Sequence, residues 1–165
     1  MTDSLATAQD CLQILSVNLK GCNICIADEL EVSELQSEEA VHQSFRTVTK
    51  VTEVELDKKG SMRDQSIWRY SFDYSVGVRL ISKEDEELSL GEEVEPLLQI
   101  EAQFIARYIS EQKMAADTLE AFSSENVGYH VWPYWREFVQ SSCARIGMEP
   151  PVSIPFYRIR RKDKA

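Results

Sequence analysis

One stretch of the sequence alternates strictly between two classes of side chain. Within Ile67–Ser82, aromatic or aliphatic residues occupy every second position from Trp68 to Leu80, and polar residues or glycine occupy the positions between them. A period of two with aromatic and β-branched residues on one side is typical of a strand with one buried face. A strand buried on both faces, as in a parallel sheet, would not keep every second position polar. The stretch therefore predicts an antiparallel sheet with one face on the core.

Three further segments have strand patterns. Leu98–Tyr108 alternates in the same way, and the acidic run Ser82–Glu95 joins it to the first strand. This pair predicts a long antiparallel hairpin with a solvated acidic loop. Phe45–Leu56 is rich in valine and threonine, and Leu12–Ala27 has apolar residues whose phase switches at Gly21, where we expect a bulge. Four strands are thus predicted in roughly the first two thirds of the chain.

The pattern becomes helical after residue 110. A short helix is predicted around Met114–Phe122, with a break and a new start offered by Ser123, Ser124 and Asn126. A longer helix follows, whose stripe at helical spacing consists of Val131, Tyr134, Trp135, Phe138, Ser142 and Ile146. Gly147 suits the position just after its end, and Pro150-Pro151 prevents continuation. Pro133 either begins the regular part of this helix or kinks it.

Composition and charge narrow the classes of function. The net charge of −10 argues against nucleic acid as a partner, because phosphate binding needs a surplus of lysine and arginine. No apolar run approaches the roughly 18 residues of a membrane span, and the first residues lack the basic and apolar regions of a secretory signal. The four cysteines are too few for a disulfide scaffold, so we expect them to be reduced and the chain to be cytoplasmic, without membrane insertion.

Catalytic and metal-binding chemistry is sparse. Cys22 and Cys25 have the spacing of a metal or redox pair, but a structural zinc site needs two more ligands. A strand would also place the two thiols on opposite faces. His42 and His130 lie in no Ser-His or Cys-His signature, and the sequence has no phosphate-binding loop. We predict no catalytic residue, metal or cofactor, and hence no enzyme, with a metal or redox protein using the two cysteines as the alternative.

Aromatic residues cluster in two places and permit two interpretations. The rings of the first strand fill a core layer under the helix, or they join the second cluster in a surface that accepts apolar side chains of another chain. The nine residues from His130 to Phe138 carry more rings than one helix face buries. Some of these rings are therefore expected to meet a partner subunit, a client or solvent.

The segment Ser124–Tyr157 resembles the SecB family of export chaperones and their SecB-like relatives. The matching residues are Asn126, Trp132-Pro133-Tyr134-Trp135-Arg136-Glu137, Ser142-Cys143-Ala144-Arg145-Ile146-Gly147 and Pro150-Pro151-Val152-Ser153-Ile154-Pro155. The resemblance implies an α+β fold, a four-stranded antiparallel sheet followed by a C-terminal helix. It also implies an ATP-independent holdase that binds unfolded client polypeptides and forms homo-oligomers, as dimers of dimers. Export members deliver clients to the motor SecA, and some relatives protect an antitoxin.

The resemblance also suggests the residues involved. Candidate client contacts are the rings Trp68, Tyr70, Phe72, Tyr74, Phe156 and Tyr157. Candidate oligomer contacts are Trp132, Tyr134, Trp135, Phe138, Val139 and Ile146. We expect a single domain in residues 1–165, with the sheet in 11–110, a helical segment in 111–147 and an extended basic tail in 148–165.

Three departures from the family pattern favour a specialised chaperone for an antitoxin-type client over export. The second C-terminal helix is shortened or absent, the tail is basic, and Gly21 and Cys25 stand where export members carry acidic residues that engage SecA. A different class of function stays open: an adaptor or assembly subunit that binds one folded partner protein.

Overall fold

The computed structural model of the chain describes residues 2–35, 39–56, 66–86 and 94–158. Its strands are β1 (Gln13–Ile26), β2 (Val41–Leu56), β3 (Ile67–Ile81) and β4 (Leu98–Ser110). Its α-helices are α1 (Thr2–Cys11), α2 (Ala116–Glu125) and α3 (Val127–Arg145), and Val32–Glu34 forms a 3-10 turn. Residues 87–93 of the acidic connection and residues 159–165 of the basic tail lie outside the described residues.

The four strands form one antiparallel sheet in the order β1-β4-β3-β2. This confirms the four-stranded antiparallel sheet and the central hairpin of β3 and β4. From Tyr70 to the end of β3 the aromatic and aliphatic positions are buried, while Arg69, Ser71 and Asp73 are only partly covered. The helices pack on the apolar face, so the core lies between them and the two central strands.

The predicted bulge in β1 is present. The register against β4 shifts between Leu19 and Gly21, and a second shift lies between Ile14 and Ser16. Because the bulge absorbs one residue, Leu19 pairs with Phe104, and Cys22 pairs with Ala102. The apolar residues on both sides of the bulge therefore face the helix side of the sheet.

Helix α1 was not predicted. It packs along α2 through the fully buried Ala8, and the Gln9 side-chain amide donates a hydrogen bond of 2.8 Å to Asn126 Oδ1. Helix α2 runs through Ser123 and Ser124, whose hydroxyls donate to backbone carbonyls one turn earlier, so the break lies at Asn126.

Helix α3 ends as the sequence predicts, and Pro133 lies inside it rather than at its start. Gly147 has a φ of 78°, a conformation that costs glycine little. The amide of Met148 donates to the Cys143 carbonyl at 2.9 Å, and this is the bond of a Schellman cap. Residues 148–158, the described part of the C-terminal segment, then run without helix or strand, in agreement with a shortened or absent second C-terminal helix.

Candidate functional site

An open groove lies between the edge strand β2 and helix α3. We call it the β2 groove; its volume is about 810 Å³. It is lined by Ser44, Phe45, Arg46, Thr47, Val48, Tyr74, Val76, Gly77, Ser123, Ser124, Trp132, Trp135, Ile154, Pro155, Phe156, Tyr157 and Arg158. The groove forms because α3 covers the middle of the sheet and leaves the apolar face of β2 partly uncovered.

A second groove, of about 910 Å³, lies on the other side of the C-terminal segment. We call it the α3 groove, since Tyr129, Pro133, Tyr134 and Gln140 of that helix line much of it. Trp132 and Tyr157 line both grooves. The C-terminal segment thus forms the wall between two furrows rich in aromatic rings.

Arg46 holds the β2 groove together electrostatically. Its guanidinium carbon lies 4.4 Å from the ring centroid of Tyr157 and 5.3 Å from that of Trp132, close enough for cation–π attraction. Its Nη2 also donates to the backbone carbonyl of Arg158 at 3.0 Å. Arg46 therefore connects β2 both to α3 and to the C-terminal segment.

The phenol of Tyr157 lies in a notch that a glycine creates. A Cβ added at Gly128 would lie 2.5 Å from Tyr157 Oη and 2.7 Å from Tyr74 Oη. Burial raises the pKa of Tyr74, and the neighbouring Tyr157 raises it further, while Arg46 opposes both effects. The Tyr74 phenol therefore stays protonated and places no charge against the ring in the notch.

The candidate client contacts differ in how accessible their side chains are in the folded chain. Tyr70 and Phe72 are completely buried, and Tyr74 nearly so. These three rings form the core, and a client cannot reach Tyr70 or Phe72 in this conformation, which corrects our expectation. Trp68 is half-buried outside the β2 groove, under Lys113 Nζ at 4.8 Å from its ring centroid.

Phe156 and Tyr157, in contrast, both line the groove. The Phe156 side chain is 76% exposed, and the Arg136 guanidinium covers its ring at 4.5 Å. Tyr157 is half-buried in the notch at Gly128. Two of the rings suggested by the resemblance therefore stand where an extended chain can contact them.

The candidate oligomer contacts also differ in how exposed their side chains are. Trp135 and Val139 are buried against the protomer's own sheet, so they have no surface to offer a second copy, which corrects that assignment. Trp132, Phe138 and Ile146 are half-buried, and Tyr134 is exposed. The surface of α3 that a second copy could contact is thus smaller than the apolar stripe in the sequence suggested.

Sequence reasoning missed Arg46 and the exposed side of β1. Arg46 pairs with Val76 and so shares the helix-side face with Val48, which pairs with Tyr74. An arginine in phase with the apolar residues of a strand is a signal that could have identified it. Along β1, five aliphatic residues are between 37% and 53% exposed: Ile14, Leu15, Leu19, Ile24 and Ile26.

His130, Cys22 and Cys25 lie outside the lining of the β2 groove. His130 Nδ1 lies 2.9 Å from Tyr108 Oη, and burial lowers the pKa of His130. Cys22 and Cys25 pair with Ala102 and Gln99, so their thiols lie on opposite faces of β1, as predicted. Within the described ranges, three or more metal-ligating side chains never come together.

None of the helices in the described part of the chain combines the length and the apolar character that spanning a membrane requires.

Comparisons with known proteins rest on the fold. Neither a protein-family model nor a curated protein matches the sequence. A similar solved structure is the SecB-like chaperone Rv1957 of Mycobacterium tuberculosis in complex with a ChAD peptide from the HigA1 antitoxin Rv1956. The similarity covers 96% of this chain and 99% of that chain with a TM-score of 0.64, at 11% sequence identity. The antiparallel sheet and the C-terminal helix of this chain therefore form a SecB-like fold.

Proposed function

We propose that this chain is an ATP-independent chaperone, a holdase, that binds unfolded segments of an antitoxin-type client in the β2 groove. The observation that carries the proposal is the groove itself: aromatic rings and two arginines line an open furrow beside an edge strand. The similar Rv1957 chaperone was solved with an antitoxin peptide, and this supports the choice of client class. No catalytic step is part of the proposal.

The proposed mechanism is burial of apolar side chains. An aromatic ring buries about 150–250 Å², which at about 25 cal/mol per Å² amounts to about 4–6 kcal/mol. The loss of translational and conformational freedom on binding offsets much of this gain. Several such contacts along one extended client therefore hold it by avidity, without nucleotide and with little sequence specificity.

We also propose that the protein forms homo-oligomers, as dimers of dimers, with β1 at the contact between copies. β1 lies at one edge of the sheet and exposes its aliphatic side chains. Unpaired edge strands readily pair with another chain, and exposed apolar surface is typical of interfaces. Tyr134 and the half-buried Trp132, Phe138 and Ile146 stay candidate contacts on α3.

β1 carries no acidic residue, so we favour an antitoxin-type client over delivery to SecA. The four cysteines are all free, and this agrees with the cytoplasm as the proposed compartment, since thiols are kept reduced there.

The proposal is tested by the aggregation of a chemically denatured model enzyme, followed by light scattering without nucleotide. We expect the protein to suppress aggregation, and Val48→Ser to weaken the suppression, because Val48 lines the groove on the helix-side face of β2. Val51→Ser is the matched control: Val51 pairs with Phe72 and so lies on the same face of β2 as Val48, which pairs with Tyr74, but it does not line the groove. Equal aggregation with and without the protein would refute the proposal. Binding of one native protein and of no unfolded chain would instead favour an adaptor subunit.

A further inference from the structure

The end of the C-terminal segment forms one wall of the β2 groove and is held there by contacts with the other walls. Residues 154–158 belong to its lining. The Trp132 indole Nε1 donates to the Pro155 carbonyl at 2.7 Å, and Arg46 Nη2 donates to the Arg158 carbonyl at 3.0 Å. Between these two bonds the ring of Tyr157 enters the notch at Gly128. The chain's own polypeptide thus occupies contacts with Trp132, Arg46 and the Gly128 notch that an extended client could also make.

The chemistry of these contacts does not depend on which polypeptide chain the bound segment belongs to. Two of the contacts are made to backbone carbonyls, which every polypeptide carries. The third is a ring that faces the Arg46 guanidinium at 4.4 Å and the Trp132 ring, edge to face, at 5.4 Å. An extended segment of another chain could therefore make the same contacts, provided that it supplies an aromatic residue.

We propose that residues 154–158 act as an internal ligand of the β2 groove, which a client displaces by placing its own aromatic side chain in the Tyr157 subsite. The inference rests on the proposed function and specifies the client chemistry. The client is an extended segment with one aromatic residue, a carbonyl acceptor two residues before it and another one residue after it. Trp132 donates a hydrogen bond to the first carbonyl. Arg46 donates a hydrogen bond to the second carbonyl and makes a cation–π contact with the ring.

The internal ligand lowers the apparent affinity for clients. When a site is open for only a fraction of the time, the apparent dissociation constant rises in inverse proportion to that fraction. Removing the Tyr157 ring weakens the internal ligand and leaves Arg46, Trp132 and the notch in place. The change is therefore expected to strengthen client binding, the opposite of what losing a client contact would do.

The test compares full-length wild type, Tyr157→Ala and Phe156→Ala by fluorescence anisotropy with two probes. One is a labelled peptide with the sequence of residues 152–158, Val-Ser-Ile-Pro-Phe-Tyr-Arg; the other is reduced, alkylated α-lactalbumin as an unfolded client. We expect Tyr157→Ala to bind both probes about tenfold more tightly than wild type. Phe156→Ala is the matched control in the same segment, because its exposed ring lies outside the notch, and we expect no gain in affinity.

A second variant tests the subsite itself. In the double variant Gly128→Ala/Tyr157→Ala, the added Cβ occupies the space that an incoming ring needs, so the gain in affinity should disappear. If wild type binds the unfolded client but Tyr157→Ala binds it equally well, the internal-ligand inference is overturned and the proposed function stands. Equal gains in Tyr157→Ala and Phe156→Ala would also overturn it. If no variant binds the unfolded client, the proposed function itself fails.

Discussion

At Gly128 the backbone of α3 passes close to two phenol groups on different elements. Tyr157 belongs to the C-terminal segment, which can yield, whereas Tyr74 lies in the middle of the central strand β3 and is almost fully buried. A side chain at position 128 would therefore have to displace one ring and press on the other. The notch exists only because this position of the helix has no Cβ.

We expect Gly128→Ala to lower the free energy of unfolding by up to about 2 kcal/mol. Overpacking costs about 1–3 kcal/mol, and the better helix propensity of alanine returns about 1 kcal/mol. Gly21→Ala is the matched control, because a Cβ there would meet nothing within 4 Å; its effect should stay within about 0.5 kcal/mol. Urea unfolding measures both changes, and equal stabilities of the two variants would contradict the packing described here.

His130 predicts a pH dependence of stability. Burial lowers its pKa in the folded state below the value of about 6.5 in the unfolded chain. Between these two values the unfolded chain binds more protons, so stability is full above about pH 6.5 and falls as the pH drops. We expect His130→Gln, which can still hydrogen-bond to Tyr108, to show a flatter dependence between pH 5 and 7. Parallel curves of thermal midpoint against pH for the two proteins would rule this out.

At the scale of the element, the bulge after Leu19 determines which face of the sheet the second half of β1 presents its aliphatic residues to. Without the extra residue after Leu19, Ile24 and Ile26 would face the polar side of the sheet. With it, they align with Leu19 on the helix-side face, where the three side chains stay between 37% and 48% exposed. The bulge therefore builds a continuous aliphatic strip along an edge of the sheet.

We expect Ile24→Asp to weaken self-association, because a charge within an apolar contact loses its hydration without gaining a partner. Asn23→Asp is the matched control: it adds the same charge one residue earlier, on the opposite face of the strand. Light scattering after size-exclusion chromatography measures the mass of both. A monomeric wild type, or equal masses for the two variants, would exclude β1 as the contact between copies.

The elements differ in how far the sequence predicts them. The strands are predictable because alternation is a local property, and β3 agrees with its pattern to within one residue at its end. Helix α1 is not, since its buried surface, including Ala8, depends on contact with α2, more than a hundred residues away. Alternation also identifies which face of β3 is apolar, but not which element covers that face. The burial of Tyr70 and Phe72 could therefore not be predicted from the sequence.

The candidate site can be predicted from the sequence only in part, because it too depends on contacts between distant elements. Phe156 and Tyr157 follow from the resemblance of the segment after Gly147. Arg46 is in phase with Val48 in the sequence, but only the register between β2 and β3 shows that this phase lies on the apolar face. A groove is formed by elements that are distant in sequence, and its geometry therefore depends on the folded chain.

At the scale of the whole molecule, the helices cover the two central strands more completely than the two edge strands. The edge β2 is left beside a groove with aromatic walls, and the edge β1 is left with an aliphatic strip. We assign the first to unfolded clients and the second to another copy of the chain. The two surfaces lie at opposite edges of one sheet, so a copy bound at β1 leaves the groove at β2 open.

The most direct test of the central claim is ¹⁹F NMR of the protein labelled with 5-fluorotryptophan, titrated with an unfolded client. The chain has three tryptophans: Trp132 and Trp135 line the β2 groove, and Trp68 lies outside it under Lys113. We predict that the Trp132 resonance shifts or broadens as the client binds while the Trp68 resonance stays unchanged. Client binding that moves Trp68 and leaves Trp132 unaffected would contradict the assignment of the groove.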